Sequence, residues 1–596
     1  MKIAGTKLFE HDASVFILDP EKKEVFAISA ERITRIKHDP NSIKPILNIL
    51  DKSVLNDIKY VVHSFTTRGD KDYFALKIRE EIRKIYKPRY ISELKNWHKL
   101  PKWKKIIKLI KHNPKSIYYL FKYWYSLKYK NKPNPNLIEN YVKKELFKNK
   151  NIIFEQKDHH LCHAASAYYF SPFNNSECIV FTLDGKGDGK QSTLWIFNGT
   201  KYDLISYTKV NEAYNLSIGK IYGKFTKVLG FTPNSDEGKT EALAAYGKPN
   251  EKLYEILSKC YTVDKKNLCW VENLDILKKL DDEEYLMKWK EKIGNENFAA
   301  TIQRWLEDTV VEFLRAAYER YKIPRLAMAG GVVANVIMNL NIFERTPFEE
   351  VYIFPAMGDD GTAAGAAVLK AMELGYDVSW LKDMEMPYWG PSYSKEDIEK
   401  ELKKEKWKNK IEYEYIGDTW PELAAEMIAN GKIIAIFQGK MEFGPRALGN
   451  RSILADPRDP KTRDKINSTV KRRPWFQPFC PSVLEEERKR LFEKSYKHKH
   501  MAIAFKMKKE YWDKLPSAIH IDGTARPQFV EEKDNPNYYR ILKKFKELTG
   551  YGIIVNTSFN LHGRTIVRTP EDALTDFVDC NIDALFIEGY LVKSKK

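Results

Sequence analysis

Three stretches of this chain repeat one local plan, and that plan restricts the fold more than any other feature. Cys178-Ile179-Val180-Phe181-Thr182-Leu183 is an apolar run that stops at Asp184-Gly185. Pro324 to Ala329 stops at Gly330-Gly331, and Glu350 to Phe354 leads into Asp359-Asp360-Gly361. Helical patterns follow them: Phe298 to Tyr321 is amphipathic, and Thr362 to Met372 is rich in small residues. Buried-type strands closed by Gly or Asp and alternating with helices indicate an α/β fold. In such sheets the carboxyl ends of strands gather at one crevice, so chemistry is expected just after these runs.

The rest of the chain fits the same class. Ser14–Leu18 and Lys23–Ile28 read as a hairpin across Asp19-Pro20, and Ile58–Val62 as a further strand. The turn-rich Pro387-Tyr388-Trp389-Gly390-Pro391 marks a boundary before a helix from Lys395. Beyond it, Lys432–Phe437, Ala502–Phe505 and Gly552–Val555 read as strands of a second α/β module. A chain of 596 residues exceeds one core, so two modules are expected, at 1–375 and 390–596.

Charge is unevenly placed. The chain carries +19, yet residues 71–150 hold 23 Lys/Arg against 6 Asp/Glu, so +17 belongs to one insert and +2 to the remainder. The insert, at about 68–150, also holds 15 aromatic residues, and Pro101, Pro114, Pro133 and Pro135 cut it into short helices. Trp103 to Lys111 has an apolar face flanked by lysines, which suits either an anionic membrane surface or a solvated helix packing its aromatics on the core. No RNA-binding motif accompanies the lysines, which ranks nucleic acid low as a partner. No signal peptide and no spanning apolar run is visible, and six cysteines lack any CxxC pair. A reduced cytoplasmic protein is expected, with peripheral attachment to the inner membrane face as the insert's alternative.

Several residue groups suit chemistry. Asp158 reads as a helix cap that puts His159 and His163 on one face, a turn apart, as a divalent metal requires. A His-rich helix start without metal is the bland alternative. Asp184, with Asp359 or Asp360, would complete a Zn, Fe or Mn site from strand ends. Gly330, Gly331 and Asn335 form a strand–helix turn that lets a ligand approach the backbone, or only a tight turn. Lys239, after Glu237-Gly238, suits a phosphoryl oxygen or a solvated loop. In the second module, Arg446, Arg451, Lys471, Arg472 and Arg526 stand among Gly, Pro and aromatic residues, where arginine serves phosphate better than it serves a bare surface.

Taken together these stretches resemble the family of nodulation-factor, aminoglycoside, cephem and novobiocin-type O-carbamoyltransferases. The resemblance rests on HDAS (His11–Ser14), ERITRIKHD (Glu31–Asp39), HHLCHAASAYYFSPF (His159–Phe173), LDGKGDG (Leu183–Gly189) and GKIYGKFTKVLGFTPNSDEGKTEALAAYGKP (Gly219–Pro249). It continues through AGGVVANVIMN (Ala329–Asn339), PAMGDDGTAAGAA (Pro355–Ala367), GKMEFGPRALGNRSILADPR (Gly439–Arg458), DGTARPQ (Asp522–Gln528) and NTSFNLHGRTIV (Asn556–Val567).

The resemblance implies an actin-like amino-terminal module and a YrdC-like carboxyl-terminal module. The latter would make carbamoyl adenylate from carbamoyl phosphate and Mg-ATP. The former would pass the carbamoyl group to a hydroxyl of a sugar-containing or natural-product acceptor at a metal site, Fe(II) before Zn or Mn. It implies His159, His163, Asp184 and Asp359 as ligands, with Asp359 preferred to Asp360. It places His11 near the adenylate and Gly330, Gly331, Asn335 and Asp360 at the nucleotide. On chemical grounds a nearby histidine, His160 or His11, suits acceptor deprotonation, and Lys239 is grouped with them as a catalytic candidate. Arg446, Arg451, Lys471, Arg472, Ser482, Arg526 and Asn556 would meet ATP and carbamoyl phosphate. The stretch Lys471–Phe479 departs from the family, which often has an acidic residue after the first Arg and an Arg near Gln477. A homodimer is also expected. The competing readings are an actin-like ATPase or sugar kinase, which would make ADP, and a tRNA-modifying transferase.

Overall fold

The computed structural model describes residues 1–8, 11–39, 42–66, 74–75, 77–78, 113, 115–129 and 135–595. Two five-stranded sheets build the amino-terminal module. The first contains β1 (Lys2–Lys7), β2 (Ser14–Asp19), β3 (Glu24–Ser29), β4 (Ile58–His63) and β5 (Ile153–Gln156), in the order β3-β2-β1-β4-β5. The second contains β6 (Cys178–Gly187), β7 (Lys190–Asn198), β8 (Lys201–Lys209), β9 (Arg325–Ala329) and β10 (Glu350–Ile353), in the order β10-β9-β6-β7-β8. In each sheet the first three strands are antiparallel neighbours and the last two run parallel to the first. One topology therefore occurs twice, the duplicated plan of the actin-like fold.

Helices α1 (Lys115–Tyr129), α2 (His159–Tyr169), α3 (Asn295–Tyr321), α4 (Val336–Arg345) and α5 (Thr362–Glu373) matter most for function. The small residues of α5 have a packing purpose. Ala363, Ala364, Ala366 and Ala367 are fully buried, and the helix lies directly on β1 and α2. A Cβ on Gly5 would sit 1.8 Å from the Ala363 carbonyl oxygen, and one on Gly365 would sit 1.8 Å from that of Cys162. Such backbone contact brings the start of α2 and the end of β10 close together.

The carboxyl-terminal module is one mixed eight-stranded sheet. Its order is Ile411–Tyr415, Tyr590–Ser594, Ala584–Ile587, Ile434–Phe437, Arg451–Ala455, Ile553–Ser558, Cys480–Leu484 and Gln528–Val530. Alternate residues serve opposite layers. Ala435 and Phe437 join one core, whereas Ile434 and Ile436 join the other, as period-2 strands require. The chain as a whole is thus mixed α/β.

Two local expectations change. Lys2–Lys7 is the central strand of the first sheet, although Ile3-Ala4-Gly5-Thr6 is too short an apolar run to announce one. Ala502–Phe505 is not a strand; only Phe505–Lys506 pairs, with Thr524–Ala525. Ala502 and Ala504 instead turn to the other module: the Asn339 amide donates to the Ala502 carbonyl (2.7 Å), and the Ala504 N–H donates to that of Val336 (3.2 Å).

The turn-rich stretch between the modules is pinned rather than loose. Trp389 is buried among Phe16, Phe170, Phe354 and Phe443, and its carbonyl accepts the Ala27 N–H at 2.9 Å. Arg32 donates to the Gly444 carbonyl at 2.6 Å, and Arg35 pairs with buried Asp576 at 2.5 Å. Trp103–Lys111 lies outside the described residues. Among the described residues, no helix is long and apolar enough to cross a membrane.

Candidate active site

The amino-terminal half of the site starts with a helix cap. The Asp158 carboxylate accepts the Leu161 N–H at 3.0 Å, so α2 begins at His159 and presents His159 and His163 on one face. Both rings are fully buried. Asp184, in β6, and Asp359, after β10, meet them there. His159 Nε2 stands 3.6 Å from Asp184 Oδ2 and 3.5 Å from Asp359 Oδ1, and His163 Nε2 stands 3.6 Å from Asp359 Oδ1. One donor atom from each of the four residues lies within 4.8 Å of the others. Gly187 makes room: a Cβ there would sit 1.9 Å from His159 Cδ2.

The surroundings hold the carboxylates ionised. Asp184 Oδ1 accepts the Gly331 N–H at 3.0 Å, and Asp359 Oδ2 meets buried Lys7 Nζ at 2.8 Å. Burial alone would raise both carboxyls; Lys7 and His159 hold Asp359, and His159 holds Asp184, well below the usual carboxylate range. Burial pushes His163 down toward its neutral, ligating form.

All four ring nitrogens of His159 and His163 are buried without a hydrogen-bond partner. An orphaned buried donor or acceptor costs about 1–3 kcal/mol, so four in one cluster call for another partner. A divalent cation between two imidazoles and two carboxylates meets that need, and the donor set suits Zn, Fe or Mn. Two other ligand-type groups lack this character. Asp12, Glu31 and His38 are tied by hydrogen bonds of their own, His38 Nδ1 to Asp12 Oδ1 at 2.7 Å and the His38 N–H to Glu31 Oε2 at 2.8 Å. Glu385, Glu531 and Asp534 gather round Lys499 Nζ.

A cavity of about 2610 Å³ opens beside Asp184 and Asp359 and runs to the carboxyl-terminal module. Its far end is cationic. Burial and the approach of Arg526 depress Arg446 to about 9; burial, with Arg526 again nearby, depresses Arg473 to about 10. Arg526 donates to Cys480 Sγ from Nε (3.0 Å) and Nη2 (2.7 Å), and Arg446 Nε is buried without a partner. Three guanidinium groups that crowd one another facing a cavity form a site for a polyanion.

The structure gathers many of the expected residues on this one surface: His11, Lys239, Asp184, Gly331, Asn335, Asp359, Asp360, Arg446, Lys471, Arg472 and Arg526. Within the cluster it is the Asp359 carboxylate that faces the histidines; Asp360 is bonded to Ser29 (3.2 Å) and the Gly361 N–H (3.1 Å). His11 Nδ1 lies 2.8 Å from Asp12 Oδ2, with the ring 47% exposed. Lys239 pairs with Asp236 at 2.9 Å. Asn335 caps α4 through the Met338 N–H (2.8 Å) and exchanges amide hydrogen bonds with Gln303.

Other expected residues are spent elsewhere. His160 lies away from the cavity with Nδ1 at Thr182 Oγ1 (2.7 Å) and Nε2 at the Lys190 carbonyl (3.2 Å), and burial beside His159 depresses it to about 3. Gly330 has φ +113°, and a Cβ there would sit 2.2 Å from the Leu183 carbonyl oxygen, so it serves the turn. Arg451 is fully buried, donating to the carbonyls of Gln438 (2.6 Å), Asn450 (2.9 Å) and Gly439 (3.1 Å) over the Phe437 ring. Lys471 does line the cavity, but its Nζ is ringed by oxygens of Ser558 and Asn560. Ser482 and Asn556 bond each other at 3.0 Å inside the sheet. Sequence reasoning missed Lys7 and did not single out Arg473. The Lys-Arg-Arg run pointed to Arg473, whereas nothing local marked Lys7.

The carbamoyltransferase N-terminus profile matches residues 2–368, and the carbamoyltransferase C-terminus profile matches residues 425–594. An uncharacterized protein of Methanocaldococcus jannaschii is 65% identical over the full length of both chains. Nodulation protein NolO of Bradyrhizobium diazoefficiens is 34% identical over 74% of this chain and 79% of its own, and nodulation protein NolNO of Sinorhizobium fredii is 35% identical over 73% and 63%. Among solved structures, full-length HypF in its phosphate- and nucleotide-bound form is similar over 45% of this chain and 42% of its own, at 14% identity and TM-score 0.26. Both profiles fall in order on the two modules that face the cavity, and the chain belongs to the carbamoyltransferase family of enzymes.

Proposed function

We propose that the protein is an ATP-dependent O-carbamoyltransferase that divides its reaction between the two ends of this cavity. The single observation that carries the reading is the continuity of the cavity between the His159–His163–Asp184–Asp359 cluster and the Arg446–Arg473–Arg526 cluster.

At the arginine end, water cleaves carbamoyl phosphate to carbamate and phosphate. A carbamate oxygen then attacks the α-phosphorus of ATP, giving carbamoyl adenylate and pyrophosphate. Arg446, Arg473 and Arg526 would hold the phosphates, and their crowding is relieved when a polyanion enters. Carbamoyl adenylate is prone to hydrolysis, so passage within the cavity protects it.

At the other end, His159, His163, Asp184 and Asp359 would hold a divalent cation, which supplies Lewis acidity toward the carbamoyl oxygen when bound. The acceptor oxygen attacks the carbamoyl carbon, AMP leaves, and the acceptor's proton passes to the departing phosphate. His11 fits this departure. Burial works against its charge, but Asp12 and Asp359 raise it above the usual histidine range, so an imidazolium stands ready for the phosphate oxygens. His160 has both nitrogens engaged and takes no part in this scheme.

Isotopic exchange of pyrophosphate into ATP should require carbamoyl phosphate, and turnover should yield AMP. Turnover to ADP without carbamoyl phosphate would favour a kinase or simple ATPase and overturn the reading.

A further inference from the structure

Two stretches of the chain that the scheme above leaves largely unused meet at one carboxylate. His11-Asp12 follows β1, and Glu31 to His38 follows β3. The two loops come together on the cavity wall, which His11, Asp12, Glu31 and His38 all line. Asp12 holds an imidazole with each of its oxygens. His11 Nδ1 lies 2.8 Å from Oδ2, and His38 Nδ1 lies 2.7 Å from Oδ1. Burial would raise the Asp12 carboxyl, but His38 and His11 hold it well below the usual carboxylate range. An ionised carboxylate only accepts, so Nδ1 carries the hydrogen in both rings. Nε2 is then the nitrogen that His11 can offer to a ligand in the cavity.

The local chain does not favour this bridge. Asp12 has φ +62° and His38 has φ +52°, a left-handed backbone that residues with side chains seldom adopt. Tertiary contacts hold both. The His38 N–H donates to Glu31 Oε2 (2.8 Å), and Glu31 Oε1 pairs with Arg32 (3.1 Å). Arg32 in turn donates to the Gly444 carbonyl of the other module, and the Thr565 hydroxyl from that module donates to the Glu31 carbonyl (2.9 Å). His38 is thus set by both modules, and it sets Asp12. Fastening the loop would need only one ring; the second oxygen of Asp12 goes to the ring nearer the reacting groups.

We propose that Asp12 and His38 are positioning residues for His11: the Asp12 carboxylate, steadied by His38, turns His11 Nε2 toward the departing phosphate. This rests on the transferase reading above, in which His11 meets that phosphate. As the bond from the carbamoyl carbon to the phosphate oxygen breaks, that oxygen takes the electron pair and the Nε2 proton. His11 regains a proton from the acceptor hydroxyl, and its Nδ1–H stays on Asp12 throughout. A carboxylate that holds one nitrogen of an imidazole fixes both tautomer and direction. Removing it lowers kcat rather than raising KM.

The test uses the full chain and follows AMP formation from ATP and carbamoyl phosphate, with glycerol as the hydroxyl probe. Glycine accepts the backbone of His38 and asparagine that of Asp12, so neither change strains the chain. Asp12→Asn should lower kcat about a hundredfold and His38→Gly about tenfold, with KM for glycerol near the wild-type value. His38→Asn, whose amide donates to Oδ1 as Nδ1–H does, should recover most of the rate. Thermal melting shows that each variant is folded, and carbamoyl-phosphate-dependent pyrophosphate exchange should persist in all three.

Labelling of His11 by diethyl pyrocarbonate, read by peptide mass spectrometry, reports on the bridge without turnover. Burial opposes charge on His11, but Asp12 and Asp359 raise it to about 9, with Lys7 against them. At about pH 7.5 labelling should be slow in the wild type and about tenfold faster in Asp12→Asn. Wild-type kcat in folded His38→Gly, equal losses in His38→Gly and His38→Asn, or unchanged labelling in Asp12→Asn would overturn the inference. A wild type without pyrophosphate exchange overturns the transferase reading instead, and labelling then decides the bridge by itself.

Discussion

The two ends of the cavity contain opposite electrostatic problems. At the amino-terminal end, two carboxylates face two neutral-capable imidazoles whose four ring nitrogens bond nothing. At the carboxyl-terminal end, burial and the approach of Arg526 depress the Arg446 and Arg473 guanidinium groups. One end suits a cation and the other suits an anion. Buried polar atoms without a partner stand at both places, whereas other cations nearby are tied to the framework by several hydrogen bonds each. Arg451 and Lys471 are as cationic by sequence as Arg446, yet carbonyl and side-chain oxygens surround them.

That contrast can be broken at either end. The largest effect is expected from His159→Ala, which should lower acceptor carbamoylation more than about a hundredfold and remove bound divalent metal. Carbamoyl-phosphate-dependent pyrophosphate exchange should survive it; loss of both half-reactions together would show that the ends are not separable. Arg526→Met should do the converse. Exchange should fall about a hundredfold or more, while metal content measured by elemental analysis stays at the wild-type level.

Framework cations should behave differently. Arg451→Met removes the donor from buried carbonyls and should cost about 2–4 kcal/mol, read as a lower denaturation midpoint. Its exchange rate per folded molecule should change little. A folded Arg451→Met protein that melts normally but lacks exchange would move Arg451 from the framework to the site.

The smallest effect sharpens the electrostatics between the ends. Glu307 lines the cavity, and burial raises its carboxyl from 4.5 to about 7, with the Gln303 amide opposing the shift. Between those values the folded chain keeps a proton that the unfolded chain releases. Raising the pH through that window therefore favours unfolding, and the strain is absent below it. Melting temperature of the wild type should fall from pH 4.5 to 7 more steeply than that of Glu307→Gln. Parallel curves would show that Glu307 is ionised throughout.

The metal-type cluster was legible because its geometry is local. A capped helix fixes where i and i+4 side chains project, and an apolar run ending in Asp fixes a strand end. Asp158, His159, His163, Asp184 and Asp359 each sit in such a pattern. The mixed α/β class followed from the same runs. The Arg/Lys end was only half legible, since a cation in a Gly/Pro context has no local signature of what it faces. The same holds for Lys7, at the end of a strand too short to be recognised.

What the sequence determined by itself was therefore most of the longer elements and the residues at their ends, because helical period and strand termination are properties of a few neighbouring peptide units. What tertiary structure alone decided was which charges remain open. Lys471 meets oxygens 87 and 89 positions away, and Arg32 reaches a carbonyl 412 positions away. No local pattern encodes such pairings. They arise when burial brings distant segments together and each polar group must find a partner or wait for a ligand.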